Sequence, residues 1–262
     1  MKSTPHNKIV TPEIEQDIIR RYTAGESARK IRDEIGLFKT HKTVYDILKK
    51  YNIKTRDWAD YSDPHLIHNY FSKIEFPNQA YLLGVILADG YVYEDRPVLG
   101  LQMADKPILE LIRKELCSQN SILQIPPKSN NHKELFRLVV TSNVIKTHLS
   151  RYGVVPRKTH ITQLPALDLY VMPHLLRGLL DGDGFVGQYN GTVHVGFTGS
   201  VYLVSQVSFF LSTVLEISQP LPTQGTTWRV SWAHKREVKK IQEYLYPDGS
   251  FFLSRKREKF EG

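Results

Sequence analysis

The chain has 262 residues, 41% of them hydrophobic and 24% charged, a composition typical of a folded globular protein with one large domain or two to three small ones. Its net charge of +8 at pH 7 predicts a polyanionic partner. A single cysteine excludes a disulfide framework and a cysteine-based zinc site, and the polar, charged N-terminal residues predict no signal peptide, so we expect an intracellular protein.

Three short helices are predicted in residues 11–51. Thr11 can cap the first helix, and Gly25 ends it. Ser27 can cap the second, which Gly36 ends. The third helix is expected from about residue 40 to residue 51, where apolar residues recur at helical spacing.

These helices, with a tight turn before a basic third helix, resemble the helix-turn-helix DNA-binding domain of resolvases and invertases. Residues 1–56 contain 13 Lys or Arg and 7 Asp or Glu, a net charge of +6, so most of the excess positive charge lies here. The alternative is a small helical bundle with a solvated basic face. The resemblance implies that the third helix enters the major groove and presents Lys39, His41, Lys42, Thr43, Tyr45 and Lys49.

Residues 57–78 lack a sustained period and contain two prolines, Pro64 and Pro77. We interpret them as a linker, with one short helix near residues 65–72. The rest of the chain is expected to form two halves, residues 79–168 and 169–262.

Two stretches with the same pattern organise these halves: LLGVILADG at residues 82–90 and LRGLLDGDG at residues 176–184. Each is an apolar run, too short to span a bilayer, which predicts a buried helix closed by glycine. Small residues recur four positions apart on one face of each helix, and a face without bulk lets another backbone approach. We therefore expect a helix interface made by Gly84, Ala88, Gly178 and Gly182.

The end of each stretch carries an aspartate, Asp89 in the first and Asp183 in the second. If the helices pack side by side in the same direction, these carboxylates lie together at the negative ends of two helix dipoles. A divalent cation between them removes the repulsion, and paired carboxylates with open positions for water and phosphate suit Mg²⁺. One Asp-Gly after a helix is usually only a turn, but two copies of the pattern favour a metal site.

The same order of elements is predicted after each motif. The first half continues with strands 91–93 and 98–103, a helix 105–116 capped by Asp105, strands 121–125 and 135–141, and a helix 143–152. The second continues with strands 185–188 and 192–198, a helix 201–215, strands 217–222 and 226–232, a helix 234–246, and a basic tail. The fold class is therefore α+β, with two tandem αββαββα units after a small all-α domain.

At the two motifs the chain resembles the LAGLIDADG homing endonucleases in their single-chain form. The second motif keeps both acidic positions, Asp181 and Asp183, whereas the first has Leu87 at the earlier position and keeps Asp89. The resemblance implies that the two units form a pseudo-symmetric saddle in the major groove of DNA. It implies that Mg²⁺, for which Mn²⁺ or Ca²⁺ can substitute in binding, is held by Asp89, Asp183 and the backbone carbonyls of Ala88 and Gly182.

Each half also ends in a basic stretch, with Lys158 and Lys256 at similar distances past their motif aspartates. The resemblance implies that these lysines reach the two active sites, where they activate water or stabilise charge. The alternative for each is a phosphate-contacting or merely solvated side chain. Arg157 and Arg255 precede them and are candidates for phosphate contacts. Further candidates for positioning water or phosphate are Gln102, Asp105, Thr198 and Ser200.

These expectations combine into a site-specific, Mg²⁺-dependent endonuclease that makes double-strand breaks in DNA. Two overlapping sites, one per DNA strand, would produce the break. We expect a monomer that binds double-stranded DNA and does not associate with a membrane. We expect it in the cytoplasm or nucleoid, or in an organelle, and encoded by a mobile intron, by a phage or by a free-standing gene. The alternative is a non-cleaving DNA- or RNA-binding protein on the same scaffold, a transcriptional regulator or intron maturase. Aspartate at both ligand positions favours the nuclease.

Overall fold

The computed structural model describes residues 10–36, 40–57, 63–127 and 133–261. Its contacts divide the chain into two compact units, Met1–Asp60 and Tyr61–Gly262. Each unit has its own cluster of buried apolar side chains. None of the helices in the described ranges is long and apolar enough to cross a membrane.

The first unit contains, in the part that the structure describes, three helices: α1 (Pro12–Thr23), α2 (Ala28–Ile35) and α3 (Lys42–Lys50). The side chain of Ser27 caps α2 by accepting a hydrogen bond from the amide of Lys30 at 3.1 Å. Thr11 occupies the N-cap position of α1 but makes no side-chain capping bond. Ile18, Ile31 and Leu48, one from each helix, are fully buried and form the centre of this small core.

The second unit repeats one set of elements twice. The first half consists of α4 (Pro77–Asp89), β1 (Gly90–Val92), β2 (Val98–Met103), α5 (Lys106–Glu115), β3 (Leu123–Ile125), β4 (Leu135–Thr141) and α6 (Asn143–Ser150). The second half consists of α7 (Met172–Gly182), β5 (Phe185–Tyr189), β6 (Thr192–Gly199), α8 (Val201–Leu215), β7 (Thr223–Gln224), β8 (Trp228–Trp232) and α9 (Lys235–Leu245). A turn of 3-10 helix, Lys158–His160, lies between the halves, and α10 (Ser254–Arg257) follows them.

Each half forms a four-stranded antiparallel sheet, with strand order β1-β2-β4-β3 in the first and β5-β6-β8-β7 in the second. The matching order confirms the predicted α+β class with a repeated unit. The two motif helices, α4 and α7, lie in the middle of one continuous core. Their apolar runs are buried there, because eight successive residues of α4, from Ala80 to Leu87, are shielded from solvent.

The strand predicted at residues 217–222 is wrong, and this edge of the second sheet is the short strand β7. Pro220 and Pro222 lack the amide donors that a sheet needs. The polar groups of the segment are instead bound to helices: Ser208 of α8 donates to the carbonyl of Pro220 at 2.7 Å, and Glu237 of α9 accepts from the amide of Ser218 at 2.8 Å.

The short helix predicted near residues 65–72 is also wrong, because the described residues 63–76 form turns. Asp63 is buried, and its carboxylate accepts a hydrogen bond from the amide of His65 at 3.0 Å. The amide of Ile67 donates to the carbonyl of Leu116, just after α5, at 2.9 Å. Part of the expected linker is thus packed, with Leu66, Phe71 and Ile74 buried in the core of the second unit.

The predicted basic tail folds back onto the second unit. Leu253 and Lys256 are buried, and Phe260 packs against the same core. The chain after α9 therefore packs around the motif helices. The sequence did not predict this packing, because the segment is rich in charged residues.

Candidate active site

The motif helices α4 and α7 touch through their glycines. A Cβ atom added to Gly84 would lie 2.2 Å from the carbonyl oxygen of Leu175, and one added to Gly178 would lie 2.1 Å from that of Tyr81. Both distances are far inside van der Waals contact, and the neighbouring atoms are backbone. Only a residue without a side chain allows the two backbones to approach in this way.

The C-terminal ends of the two helices meet at Ala88 and Gly182. A Cβ atom added to Gly182 would lie 2.4 Å from the Cβ of Ala88 and 3.2 Å from Oδ2 of Asp89. The carboxylate of Asp89 therefore lies beside the end of α7, whose next residue is Asp183. The structure brings together all four residues that were expected to hold a metal.

The two aspartates have different surroundings, since Asp89 is partly buried and Asp183 is exposed. Burial, followed by the negative charge of Asp183, raises the pKa of Asp89 to about 6, although Lys256 and Lys158 act in the opposite direction. With a pKa near 6, Asp89 is nonetheless ionised for most of the time at neutral pH. Two hard anionic ligands with adjacent backbone carbonyls are a donor set that fits Mg²⁺. In the described ranges no third Asp, Glu, His or Cys side chain joins them.

Lys158 lies at the end of the first motif helix. Its Nζ donates to the carbonyl oxygens of Leu87 at 2.7 Å and Ala88 at 3.1 Å, and the side chain is buried. A cation is favourable here because the last carbonyls of a helix have no amide partner and carry the negative end of the dipole. Burial lowers the pKa of Lys158, while Asp183 and Asp89 oppose that effect.

Lys256 has the equivalent position at the end of the second motif helix. Burial lowers its pKa to about 8. An ammonium group has only three protons, so it shares them among the carbonyls that surround it. Its Nζ donates to the carbonyl oxygens of Leu180, Asp181 (2.9 Å), Gly182 (3.2 Å) and Gly184 (2.8 Å). A merely solvated side chain is therefore excluded for both lysines, since each is bound to a helix end and buried.

A cavity of about 220 Å³ opens beside these groups and is lined by both halves of the unit. The first half contributes Ala88 and Lys158, and the second contributes Asp183 and Thr198. The hydroxyl of Thr198 donates to the backbone carbonyl of Asp183 at 2.6 Å. The cavity thus brings the lysine of one half to the aspartate of the other.

A buried polar network on α7 could not be assigned from the sequence. Asp181 is 1% exposed, and its Oδ2 accepts from the hydroxyl of Tyr81 at 2.9 Å and from the amide of Leu253 at 3.0 Å. Arg177 is equally buried and donates from Nε to the carbonyl of Phe251 at 2.8 Å. Burial raises the pKa of Asp181 to about 6, while the bonds from Leu253 and Tyr81 oppose the rise. The sequence feature that could have indicated this network is the presence of two charged residues, Arg177 and Asp181, within an apolar helix, because buried charges need partners.

The other residues expected to position water or phosphate are engaged with protein groups. Gln102 accepts from Nε of Arg137 at 2.9 Å. Ser200 caps α8 by accepting from the amide of Leu203 at 3.0 Å, and it donates to the carbonyl of Thr162.

The expected cap by Asp105 is wrong. Its side chain makes no capping bond to α5, because the carboxylate accepts two bonds from the guanidinium of Arg255, one of them from Nε at 2.8 Å. Arg255 is thus paired with Asp105 rather than free, whereas Arg157 is exposed at a left-handed turn with φ 57°.

The DNA-contacting residues expected on α3 lie mainly on its solvent side. The opposite side is held to α1, since Lys50 and Tyr51 bind the carboxylate of Glu15 at 2.7 Å and 2.6 Å. Lys39 lies outside the described residues. Of the others, His41, Lys42 and Lys49 are exposed, and Thr43 and Tyr45 are partly exposed.

No protein-family model matches the chain, and no curated protein sequence matches it. Among solved structures, the homing endonuclease I-WcaI bound to its DNA recognition sequence has a TM-score of 0.51 and 11% sequence identity, and the match covers 74% of this chain and 91% of that one. The LAGLIDADG homing endonuclease I-SmaMI bound to cleaved DNA gives 0.46 and 12%, with 72% and 87% covered. The N-terminal LAGLIDADG domain of DUF199/WhiA gives 0.44 and 13%, with 70% and 91% covered. At these identities the likeness to I-WcaI establishes a shared fold.

Proposed function

We propose that the chain is a site-specific homing endonuclease that makes double-strand breaks in DNA by metal-dependent hydrolysis of phosphodiester bonds. One observation carries the proposal: the carboxylate of Asp89 lies 3.2 Å from a Cβ built on Gly182, beside Asp183. Two ionised carboxylates at the ends of two packed helices repel each other. Such an arrangement is explained by a bound cation.

The residues that would hold Mg²⁺ are Asp89 and Asp183, with the backbone carbonyls of Ala88 and Gly182. This donor set consists of oxygen atoms only, which are the ligands that Mg²⁺ prefers, and it leaves positions for water and phosphate. When bound, the ion would neutralise charge on the scissile phosphate and assist both the attacking water and the leaving oxygen.

The protein's own cations complement this chemistry. Hydrolysis adds a water oxygen to phosphorus and breaks the bond to one ester oxygen, so negative charge develops on the phosphate oxygens and the leaving oxygen. The ammonium groups of Lys158 and Lys256 lie at the ends of the motif helices, and both act electrostatically on the carboxylate of Asp89. Each is available to stabilise that charge on the strand beside its own half.

DNA as the partner is supported by the fold and the charge. I-WcaI, a solved structure that shares the fold, is bound to its DNA recognition sequence. The net charge of +8 favours association with a polyanion. We propose that the first unit is a helix-turn-helix domain that adds contacts through the exposed side chains of α3, and that the protein acts as a monomer.

A second candidate function is DNA or RNA binding without cleavage on the same scaffold. It is favoured by the two ammonium groups, because each already binds a carbonyl that the metal would use, Ala88 in the first half and Gly182 in the second. The positive charge that the aspartates require would then come from the protein itself.

The experiment that separates the two functions is incubation of the full chain with a plasmid library that carries a randomised target segment. We expect linear plasmids in Mg²⁺ and none in EDTA, with the same short sequence motif at every cut end. The matched binding experiment uses Ca²⁺ and recovers bound DNA. Recovery of one bound sequence without any linear product in Mg²⁺ or Mn²⁺ would contradict the nuclease and support the second function.

A further inference from the structure

The buried lysine of the second half is carried by the C-terminal segment, residues 251–257. This segment follows α9 and returns to the motif helix α7, where Lys256 binds the last carbonyls. A long side chain reaches a defined position only if the backbone that carries it is itself fixed. The contacts of the segment therefore decide where the ammonium group lies.

Two buried side chains of α7 fasten the segment, Arg177 at the carbonyl of Phe251 and Asp181 nearer to the lysine. Oδ2 of Asp181 accepts from the amide of Leu253, three residues before the lysine, at 3.0 Å, and the side chain is 1% exposed. Hydrogen bonds to a buried carboxylate are stronger than neutral ones. The pair between Arg255 and Asp105 also holds the segment, but the two side chains are 51% and 22% exposed, and exposed pairs contribute little.

The first half has no equivalent carboxylate. Leu87 stands where the second motif has Asp181, and Lys158 is held by a different device. The hydroxyl of Thr162 donates to the carbonyl of Lys158 at 2.8 Å, and Ser200 donates to the carbonyl of Thr162. The carboxylate of Asp181 thus serves the second lysine alone.

We propose that Asp181 is a positioning residue, which holds Lys256 at the end of α7 by binding the backbone of the C-terminal segment. The role deepens the proposed nuclease function, on which its relevance to cleavage rests. The acidic residue that precedes the metal-binding aspartate in the second motif would then act through the lysine and not through the metal.

The test measures the reactivity of individual lysines in the full chain, with neither DNA nor metal present. The protein is treated briefly with an N-hydroxysuccinimide ester, and labelling at each lysine is quantified by tandem mass spectrometry. In the wild type, Lys256 and Lys158 should label slowly beside the exposed Lys239. Asp181→Leu, which copies the residue of the first motif, should raise labelling of Lys256 about tenfold, the factor expected when one charge-assisted hydrogen bond is lost. Labelling of Lys158 should not change.

Two further variants separate positioning from general loosening. Asp181→Asn keeps an oxygen that can accept from Leu253 but loses the negative charge that strengthens this bond, so labelling of Lys256 should lie between that of the wild type and that of Asp181→Leu. Tyr81→Phe removes the other donor to the same oxygen but leaves the bond to Leu253, and it should label like the wild type at both lysines.

The proposal is overturned if Asp181→Leu folds and Lys256 labels as in the wild type, or if Lys158 becomes equally reactive. If Asp181→Leu does not fold, the comparison of Asp181→Asn with Tyr81→Phe decides, because labelling of Lys256 must be greater in the former. These readouts need no cleavage. A protein that fails to cut DNA can therefore still confirm the positioning role, and a nuclease can still refute it.

Discussion

At the scale of single residues, the site is defined by charges that the fold holds close together. Asp89 and Asp183 meet at the ends of α4 and α7, and Lys158 and Lys256 bind the carbonyls of those ends. Such a cluster costs free energy of folding, because burial and a like charge both penalise the ionised form of Asp89. Sites that bind ions or react commonly carry a cost of this kind.

Replacing the partly buried aspartate should therefore stabilise the free protein. The pKa of Asp89 is raised to about 6 in the folded chain from an ordinary value of 3.8. Its ionisation therefore costs folding free energy that grows as the pH rises from 3.8 to 6 and stays constant above that range. Asp89→Asn removes this penalty, and we expect a gain of roughly 1–3 kcal/mol at pH 7 that shrinks as the pH falls toward 4. Urea unfolding at the two pH values measures it.

The matched control for that experiment is Asp95→Asn, since the side chain of Asp95 is 73% exposed and its replacement should change stability little. An Asp89→Asn variant that is less stable than the wild type at pH 7 would contradict the electrostatic description of the site.

At the scale of secondary-structure elements, the contact between α4 and α7 fixes the distance between the two aspartates. Gly178→Leu inserts a side chain where the backbone of Tyr81 lies 2.1 Å from the added Cβ. Overpacking of this kind costs about 1–3 kcal/mol and occasionally more. It also moves the helix ends apart, and a displacement of about 1 Å can reduce a rate roughly 100-fold. Cleavage should therefore fall more steeply than stability.

A thermal unfolding curve and a cleavage time course of the same preparation compare the two effects. Gly225→Leu is the control, because an added Cβ there meets only the carbonyl oxygen of Thr227 at 3.8 Å. If Gly178→Leu cuts as fast as the control, the helix contact does not set the geometry of the site.

The elements that were predicted correctly are those with strong local patterns. The apolar runs of the two motifs gave both central helices, and residues 98–103, 135–141 and 201–215 have the predicted bounds. Local patterns could not reveal long-range polar partners. Asp105 has the sequence of a helix cap but binds Arg255, 150 positions away. The C-terminal segment folds back because Asp181 and Arg177 bind the backbone of Leu253 and Phe251.

At the scale of the whole molecule, the second unit is a repeat whose two halves have diverged at the site. The strand order is the same in both halves. However, Lys256 binds four carbonyls where Lys158 binds two, and Asp183 is exposed where Asp89 is partly buried. Under the proposed nuclease function, these differences predict that the two strands are cut at unequal rates.

The first unit has its own core of buried side chains, and the core of the second unit is built from residue 66 onward. Deletion of residues 1–56, which carry a net charge of +6, should weaken DNA binding and reduce the slope of log Kd against log salt. The melting temperature of the remaining unit should stay close to that of the same transition in the full chain. An unchanged affinity and an unchanged salt slope would show that the first unit does not contact DNA.

The central claim is that Asp89 and Asp183 together hold a cation that DNA cleavage requires. Its most direct test is strand-resolved cleavage of the selected target in Mg²⁺ by the wild type, Asp89→Asn and Asp183→Asn, with binding of each protein measured in parallel. We predict that each variant binds the target with nearly wild-type affinity and makes no double-strand break. Double-strand cleavage at the wild-type rate by either variant would contradict the claim.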